Sequence, residues 1–253
     1  MSELVHRARA SDALSSEAEA VRSSAPLHER TRWIYEHLPA SFDRVLDVGC
    51  HDGSGLAAFV SRGRTGVGVD LDVPALRSDP GKHRLHLLAG SADALPFQEA
   101  SFDCVVFSEV LEHVPAAVEI RCIDELRRVI VPGGTLLFTT PHRGTFWWLD
   151  PLLAKTHLRR IGALFRQERR QLKGHKHYRL EEIETLLEPR FETLVVERRA
   201  CLLHPLAYWA LALGARLRVP AAVNAVWQAF IDADYGHEYG RRAYNLCIVA
   251  RAR

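Results

Sequence analysis

An apolar run, Val45-Leu46-Asp47-Val48, ends in a glycine-rich turn, Gly49-Cys50-His51-Asp52-Gly53-Ser54-Gly55. A second apolar run, Gly66-Val67-Gly68-Val69, ends on the acid Asp70. A buried strand, a tight turn, a helix and a second strand form a unit that closes as a right-handed parallel crossover. Glycine has no Cβ, so the backbone of the turn can come close to a ligand, and an acid ending the second strand can accept hydrogen bonds from ribose hydroxyls. Gly49 alone carries little. The strand before it, the helix after it and Asp70, 21 residues beyond it, together describe a nucleotide-type cofactor site.

The same alternation runs on through the chain. The patterning predicts strands over 44–48, 65–70, 85–88, 101–107, 135–140, 191–198 and 243–250. It predicts helices over 27–38, 53–61, 116–130 and 179–187, with a helix-prone apolar stretch over 202–231. The helix over 116–130 carries an apolar stripe (Val118, Cys122, Leu126, Val129) and is expected to stop before Pro132-Gly133-Gly134. Strands alternating with helices make a doubly wound, mostly parallel sheet. Runs such as Cys104 to Phe107 are apolar throughout, as in strands covered on both faces. Residues 1–40 read as an N-terminal helical segment or lid and 41–253 as one domain with insertions at about 142–177 and 202–240.

Composition narrows the class. Of 253 residues, 47% are hydrophobic and 25% charged, a mix that supports one large core without disulfide or metal staples. The formal net charge of +2 gives no global signal for nucleic acid. The five cysteines are an odd number without CxxC spacing and fit a reducing cytosol. No stretch is apolar for long enough to suggest a membrane span.

Five ordered motifs carry a family resemblance: residues 45–50, 68–70, 90–97, 101–114 and 126–136. With them the chain resembles class I S-adenosylmethionine (SAM)-dependent methyltransferases, in the small-molecule group of ubiquinone-pathway and sugar O-methyltransferases. The resemblance implies a seven-stranded, Rossmann-like methyltransferase fold. It places SAM, and its product S-adenosylhomocysteine, against Asp47, Gly49, Cys50, Gly53, Asp70, Leu71, Ala92, Asp93, Ser108 and Glu109. In this reading Asp47 organises the turn, Asp70 binds the ribose, Asp93 accepts from the adenine amine, and Ser108 and Glu109 lie beside the sulfonium. One position departs from the family: His51 stands where a second glycine is usual, and its side chain either crowds the cofactor or points outward.

If the acceptor is a hydroxyl, a base must take its proton. His113, just beyond the fourth strand, and His142, just beyond the fifth, are the candidates, against the plain alternative that each is a capping or loop histidine. Glu109, Glu112 and His113 also form an ExxEH group. A similar group with a downstream histidine holds a divalent ion in small-RNA 2′-O-methyltransferases, and some ubiquinone-pathway enzymes use the acidic group in the same way. Here His175 or His177 would be the downstream ligand, although the same motif occurs widely in members without a metal.

Two insertions bear on the acceptor. Lys155 to Arg179 holds nine Lys/Arg and one acid, Glu168, so it is either a solvated basic helix or a site for an anion or an acidic membrane surface. The stretch 202–231 is a lid, a homodimer face, a peripheral membrane contact or additional core. Trp147-Trp148 and the run from Asp232 to Tyr239 either line an acceptor pocket or anchor loops. The leading expectation is a cytosolic SAM-dependent O-methyltransferase for a small-molecule or amphiphilic, anionic acceptor. The competing readings are a metal-dependent RNA 2′-O-methyltransferase and a non-catalytic SAM-fold binding protein.

Overall fold

The computed structural model describes residues 29–60, 65–77, 85–150, 175–217 and 219–253. The expectations for the tail before residue 29 and for the basic stretch 151–174 lie outside these residues. The described elements, in chain order, are α1 (Glu29–His37), β1 (Arg44–Val48), α2 (Ser54–Val60), β2 (Thr65–Asp70), α3 (Val73–Leu76), β3 (Leu85–Ala89) and β4 (Phe102–Ser108). There follow α4 (Glu119–Val129), β5 (Ile130–Pro141), α5 (Leu180–Leu187), β6 (Phe191–Arg199), α6 (Leu203–Leu217), α7 (Ala221–Tyr235) and β7 (Asn245–Ala252).

The strands form one seven-stranded sheet in the order β3-β2-β1-β4-β5-β7-β6. Pairing is parallel from β3 to β5, and β7 runs antiparallel between β5 and β6. The apolar runs of β1 and β4 occupy the centre, where the pleat divides their side chains between two cores. Leu46, Val48, Val105 and Phe107 pack on the face that also buries Ile123, Leu126 and Ile183. Val45, Cys104 and Val106 pack on the other, with Trp33, Ile34, Leu56 and Phe59 of α1 and α2. From β1 the chain moves outward to β2 and β3, then returns to the opposite side of β1 as β4. That reversal opens a crevice at the carboxyl ends of β1 and β4, where an open α/β sheet binds its ligand.

Two element boundaries differ from expectation. The helix expected over 116–130 opens as a 3-10 turn, Ala116–Val118, before α4 begins at Glu119. The strand expected over 135–140 begins at Ile130 and runs through Pro132-Gly133-Gly134 instead of starting after them. Ile130 pairs with Phe102 while Thr135 pairs with Cys104, so this stretch is a register shift inside β5. Gly133 supplies the positive φ of 77°, and a Cβ at Gly134 would stand 2.9 Å from the Asp103 carbonyl oxygen.

The stretch 202–231 folds as α6 and α7, which pack on each other; a Cβ at Gly214 would come 2.6 Å from Asn224 Oδ1, so the two helices approach closely there. Additional core describes only its inner edge, where Ala207, Ile231 and Tyr235 are buried. Leu206, Trp209, Leu213, Val226 and Phe230 remain exposed. Among the described residues no helix is long and apolar enough to cross a membrane. All five cysteines are free and buried.

Candidate active site

The glycine turn is held from the neighbouring strand. Gly49 N–H and Cys50 N–H donate to the Val69 carbonyl at 2.7 and 3.3 Å, and Gly53 N–H donates to the Cys50 carbonyl at 2.8 Å. The Asp70 carboxylate accepts from His51 N–H at 2.7 Å through Oδ2 and from Asp72 N–H at 2.8 Å through Oδ1. Each oxygen therefore keeps a lone pair for a further donor. Gly49 has φ 87°, and a Cβ there would lie 2.3 Å from Val110 Cγ2, so both the conformation and the space require glycine.

The hydrogen bonds above are made by Asp70 and Val69, and Asp47, the residue the resemblance gives the task of organising this turn, is a buried acid next to it. Burial pushes its carboxyl up to about 7, the Asp70 charge adds to the shift, and Arg30 opposes it. His51 adopts φ 50°, the left-handed conformation that a glycine would occupy at ease. Its side chain is 71% exposed, so of the two directions open to it the outward one is taken.

Further along the crevice Asp93 accepts from Ser91 Oγ at 2.5 Å and from Arg121 Nη2 at 3.2 Å. These two partners hold its carboxyl below the usual range. Ala92 packs against the core beside it, Leu71 is exposed next to Asp70, and Cys50 is buried. At the end of β4, Ser108 Oγ lies 2.8 Å from Thr139 Oγ1. Thr139 Oγ1 donates to Glu109 Oε1 at 3.0 Å, and Glu109 has φ 55°. Arg30 Nη1 approaches Glu109 Oε2 to 3.6 Å. Burial opposes the Arg30 charge, but Glu109, with Tyr208, Tyr235 and Glu29, holds its pKa above the ordinary value. No sequence signal pointed to Arg30, which lies in the first turn of a helix far from the motifs.

The two candidate bases differ. The side chain of His113 is 44% exposed, and its Nε2 lies 3.7 Å from Glu112 Oε1. Desolvation and the neighbouring His175 lower its pKa, which favours the neutral form. His142 is buried and donates from Nδ1 to the Ala243 carbonyl at 3.1 Å, leaving Nε2 as the bare nitrogen. Burial lowers its pKa as well.

Of the four residues proposed for a metal, the fold gathers Glu112, His113 and His175, with ligand atoms within 4.8 Å of one another. Glu109 is not among them; its carboxylate is engaged by Thr139 and Arg30. Glu112 is fully buried, and burial, followed by the charge of Glu109, raises its pKa well above the carboxylate range. Asp150, unmarked in the sequence reading, joins His175 and His177 in a second group of the same size. The run 232–239 anchors a loop: Asp234 Oδ2 accepts from Cys201 N–H and His204 N–H, and Tyr239 donates to Asp234 Oδ1.

Residues 46–138 match the family described as a methyltransferase domain. A ubiquinone biosynthesis O-methyltransferase from Thiobacillus denitrificans is 32% identical over 148 residues, covering 54% of this chain and 62% of that protein. Over residues 46–138 this chain is similar to methyltransferase domains, and it has the fold of class I SAM-dependent methyltransferases. It spans 53% to 62% of the length of the first curated relatives it matches. Two solved structures share the fold. A SAM-dependent methyltransferase from Methanosarcina mazei has a TM-score of 0.55 at 22% identity, with 87% of this chain and 96% of that chain covered. The cyclase SpnF has a TM-score of 0.57 at 21% identity, with 88% and 80% covered. One fold thus serves a methyltransferase and a cyclase, so the reaction must be argued from the site.

Proposed function

We propose that this methyltransferase domain moves the methyl group of SAM to a hydroxyl of a small acceptor with an apolar body. The observation that carries the reading is the pairing of Asp70, with a lone pair left on each oxygen beside the Gly49 turn, with a half-exposed His113 whose pKa is lowered beyond the end of β4. When bound, SAM supplies an electrophilic methyl carbon whose bond to sulfur breaks as the bond to oxygen forms. The backbone at Gly49 and Gly53 gives the methionine portion room, Asp70 accepts from the ribose hydroxyls, and Asp93 accepts from the adenine amine. His113, kept neutral, takes the hydroxyl proton on its ring nitrogen. Fixing donor and acceptor in line accounts for most of the barrier lowering, and a positioned base adds roughly 10²- to 10⁴-fold.

The names of the curated relatives support an O-directed reaction. The exposed apolar side chains of α6 and α7 support an acceptor with a greasy portion, and the overall charge of +2 favours it over a nucleic acid. Calorimetry with SAM and S-adenosylhomocysteine tests the donor, and absence of binding by both ends the catalytic reading. Mass spectrometry of phenolic and catecholic acceptors tests the rest, with a gain of one methyl on oxygen expected. His113→Ala should lower kcat by at least about 100-fold with SAM affinity retained; an unchanged kcat would remove His113 as the base. Flotation with liposomes tests the amphiphilic part.

A further inference from the structure

Three buried polar side chains lie apart from the residues assigned to SAM. Asp150 ends the short 3-10 turn that follows β5, and His175 and His177 sit two residues apart on an extended segment. That segment is fixed on both sides. Lys176 N–H donates to the Glu112 carbonyl, Tyr178 N–H to the Pro141 carbonyl and Arg143 N–H to the Tyr178 carbonyl. Residues i and i+2 of an extended chain point the same way, and both imidazoles meet the same Asp150 oxygen. His175 Nε2 is 2.8 Å and His177 Nε2 3.2 Å from Oδ2.

The surroundings are dry, with side-chain exposures of 5%, 1% and 2% for His175, His177 and Asp150. Beyond these contacts with Asp150, neither imidazole has a hydrogen-bond partner for its Nδ1. A buried polar atom left unpaired costs about 1–3 kcal/mol, and such a group in a folded protein calls for an ion or a water. Two buried imidazole Nε2 atoms converging on one carboxylate oxygen favour the ion. Ligands about 2.1 Å from one ion stand about 3.0–3.4 Å apart for right-angled to tetrahedral geometry, close to the two distances seen.

We propose that Asp150, His175 and His177 hold one divalent transition-metal ion of the zinc class. Two imidazoles and a carboxylate suit zinc, cobalt or iron, whereas magnesium and calcium prefer oxygen ligands in greater number. Three protein ligands leave a position open. The ion pins the segment after β5 to the segment before α5, and the His175 ring, 5.2 Å from that of His113, carries its influence toward the crevice. This is not the ExxEH site expected from the sequence, because Glu109 takes no part and Asp150 and His177 do.

The test uses the untagged full chain, stripped with a chelator and then offered Co²⁺, Zn²⁺ or Mg²⁺ alone. One equivalent of Co²⁺ retained through gel filtration with a visible d–d spectrum, displacement by Zn²⁺ and a raised Tm are expected, with no response to Mg²⁺. His177→Gln and Asp150→Asn should lose the spectrum and the Tm rise while still binding SAM. Wild-type protein that binds SAM but retains no Co²⁺ or Zn²⁺ overturns the site, whatever the variants do. Retention of metal without SAM binding leaves the site standing and overturns the methyl-transfer reading instead. A spectrum that survives both substitutions places the ion elsewhere and also overturns the proposal.

Discussion

The two halves of the crevice are built by different means. On the β1–β2 side, backbone amides and one carboxylate do nearly all the work. Asp70 accepts from two N–H groups, and Val69 receives two more from the turn, all within a continuous stretch of about 25 residues. On the β4–β5 side, side chains from distant segments converge. Glu109 meets Arg30 from α1 and Thr139 from β5, while Asp150 meets histidines 25 and 27 residues away. The first half presents one chemistry to one ligand. The second is a surface of loops and added helices on the same scaffold, where acceptor specificity can vary without disturbing the donor.

Removing Asp70 breaks the first half most directly. Asp70→Ala releases His51 N–H and Asp72 N–H and, in the proposed placement of SAM, deletes the charged acceptor of two ribose hydroxyls. Two hydrogen bonds to a charged group contribute about 4 kcal/mol, so SAM affinity should fall roughly 1000-fold by calorimetry. A loss below tenfold would mean that the ribose is held by other groups.

Asp47 tests the same half through stability. Its carboxyl titrates near 7 when folded because burial and the charge of Asp70 disfavour ionisation. In the unfolded chain it titrates near 3.9. Between those values the folded protein holds a proton that the unfolded chain has released, so stability falls as pH rises from about 4 to about 7 and levels off above. Asp47→Asn removes that slope. Urea unfolding of the SAM-free protein at pH 8 should find the variant more stable by about 4 kcal/mol, with the advantage vanishing by about pH 4. Equal slopes for variant and wild type would show that Asp47 is ionised and paired.

The contrast also accounts for what the sequence disclosed. β1 and β4 were legible because a strand buried on both faces needs an apolar run, and the turn because Gly49 occupies a conformation and a space that admit no other residue. Register was not legible: Pro132-Gly133-Gly134 looks like a break, yet the sheet absorbs it as a shift inside β5. Roles were harder still. Asp47 and Asp70 both end or nearly end a strand, and only the pairing of β1 with β2 reveals which one the turn leans on. Arg30 and Asp150 carry no local pattern, because the tertiary fold alone brings them to Glu109 and to the paired histidines.

The link between α1 and the acceptor side is tested by a double-mutant cycle on Arg30 and Glu109. The pair is separated by 3.6 Å and only partly exposed, so a coupling of about 1 kcal/mol is expected. Arg30→Ala alone should lower Tm by about 2–4 °C. Zero coupling would make α1 a packing element only and leave Glu109 answerable to Thr139.

The smallest effect is expected at His51, and it is the most discriminating for the cofactor half. A non-glycine residue at φ 50° costs about 1–2 kcal/mol, whereas glycine loses about 0.5–1 kcal/mol more backbone freedom on folding. These oppose each other, so His51→Gly should raise stability by roughly 0–1.5 kcal/mol. Because the imidazole is 71% exposed, SAM affinity should stay within about twofold of wild type. A tenfold gain would show that the imidazole turns inward and crowds the methionine portion, and would revive the reading of a domain that has given up catalysis. An unchanged affinity leaves the turn competent as it stands and moves every remaining question of specificity to the side of the crevice built from distant side chains.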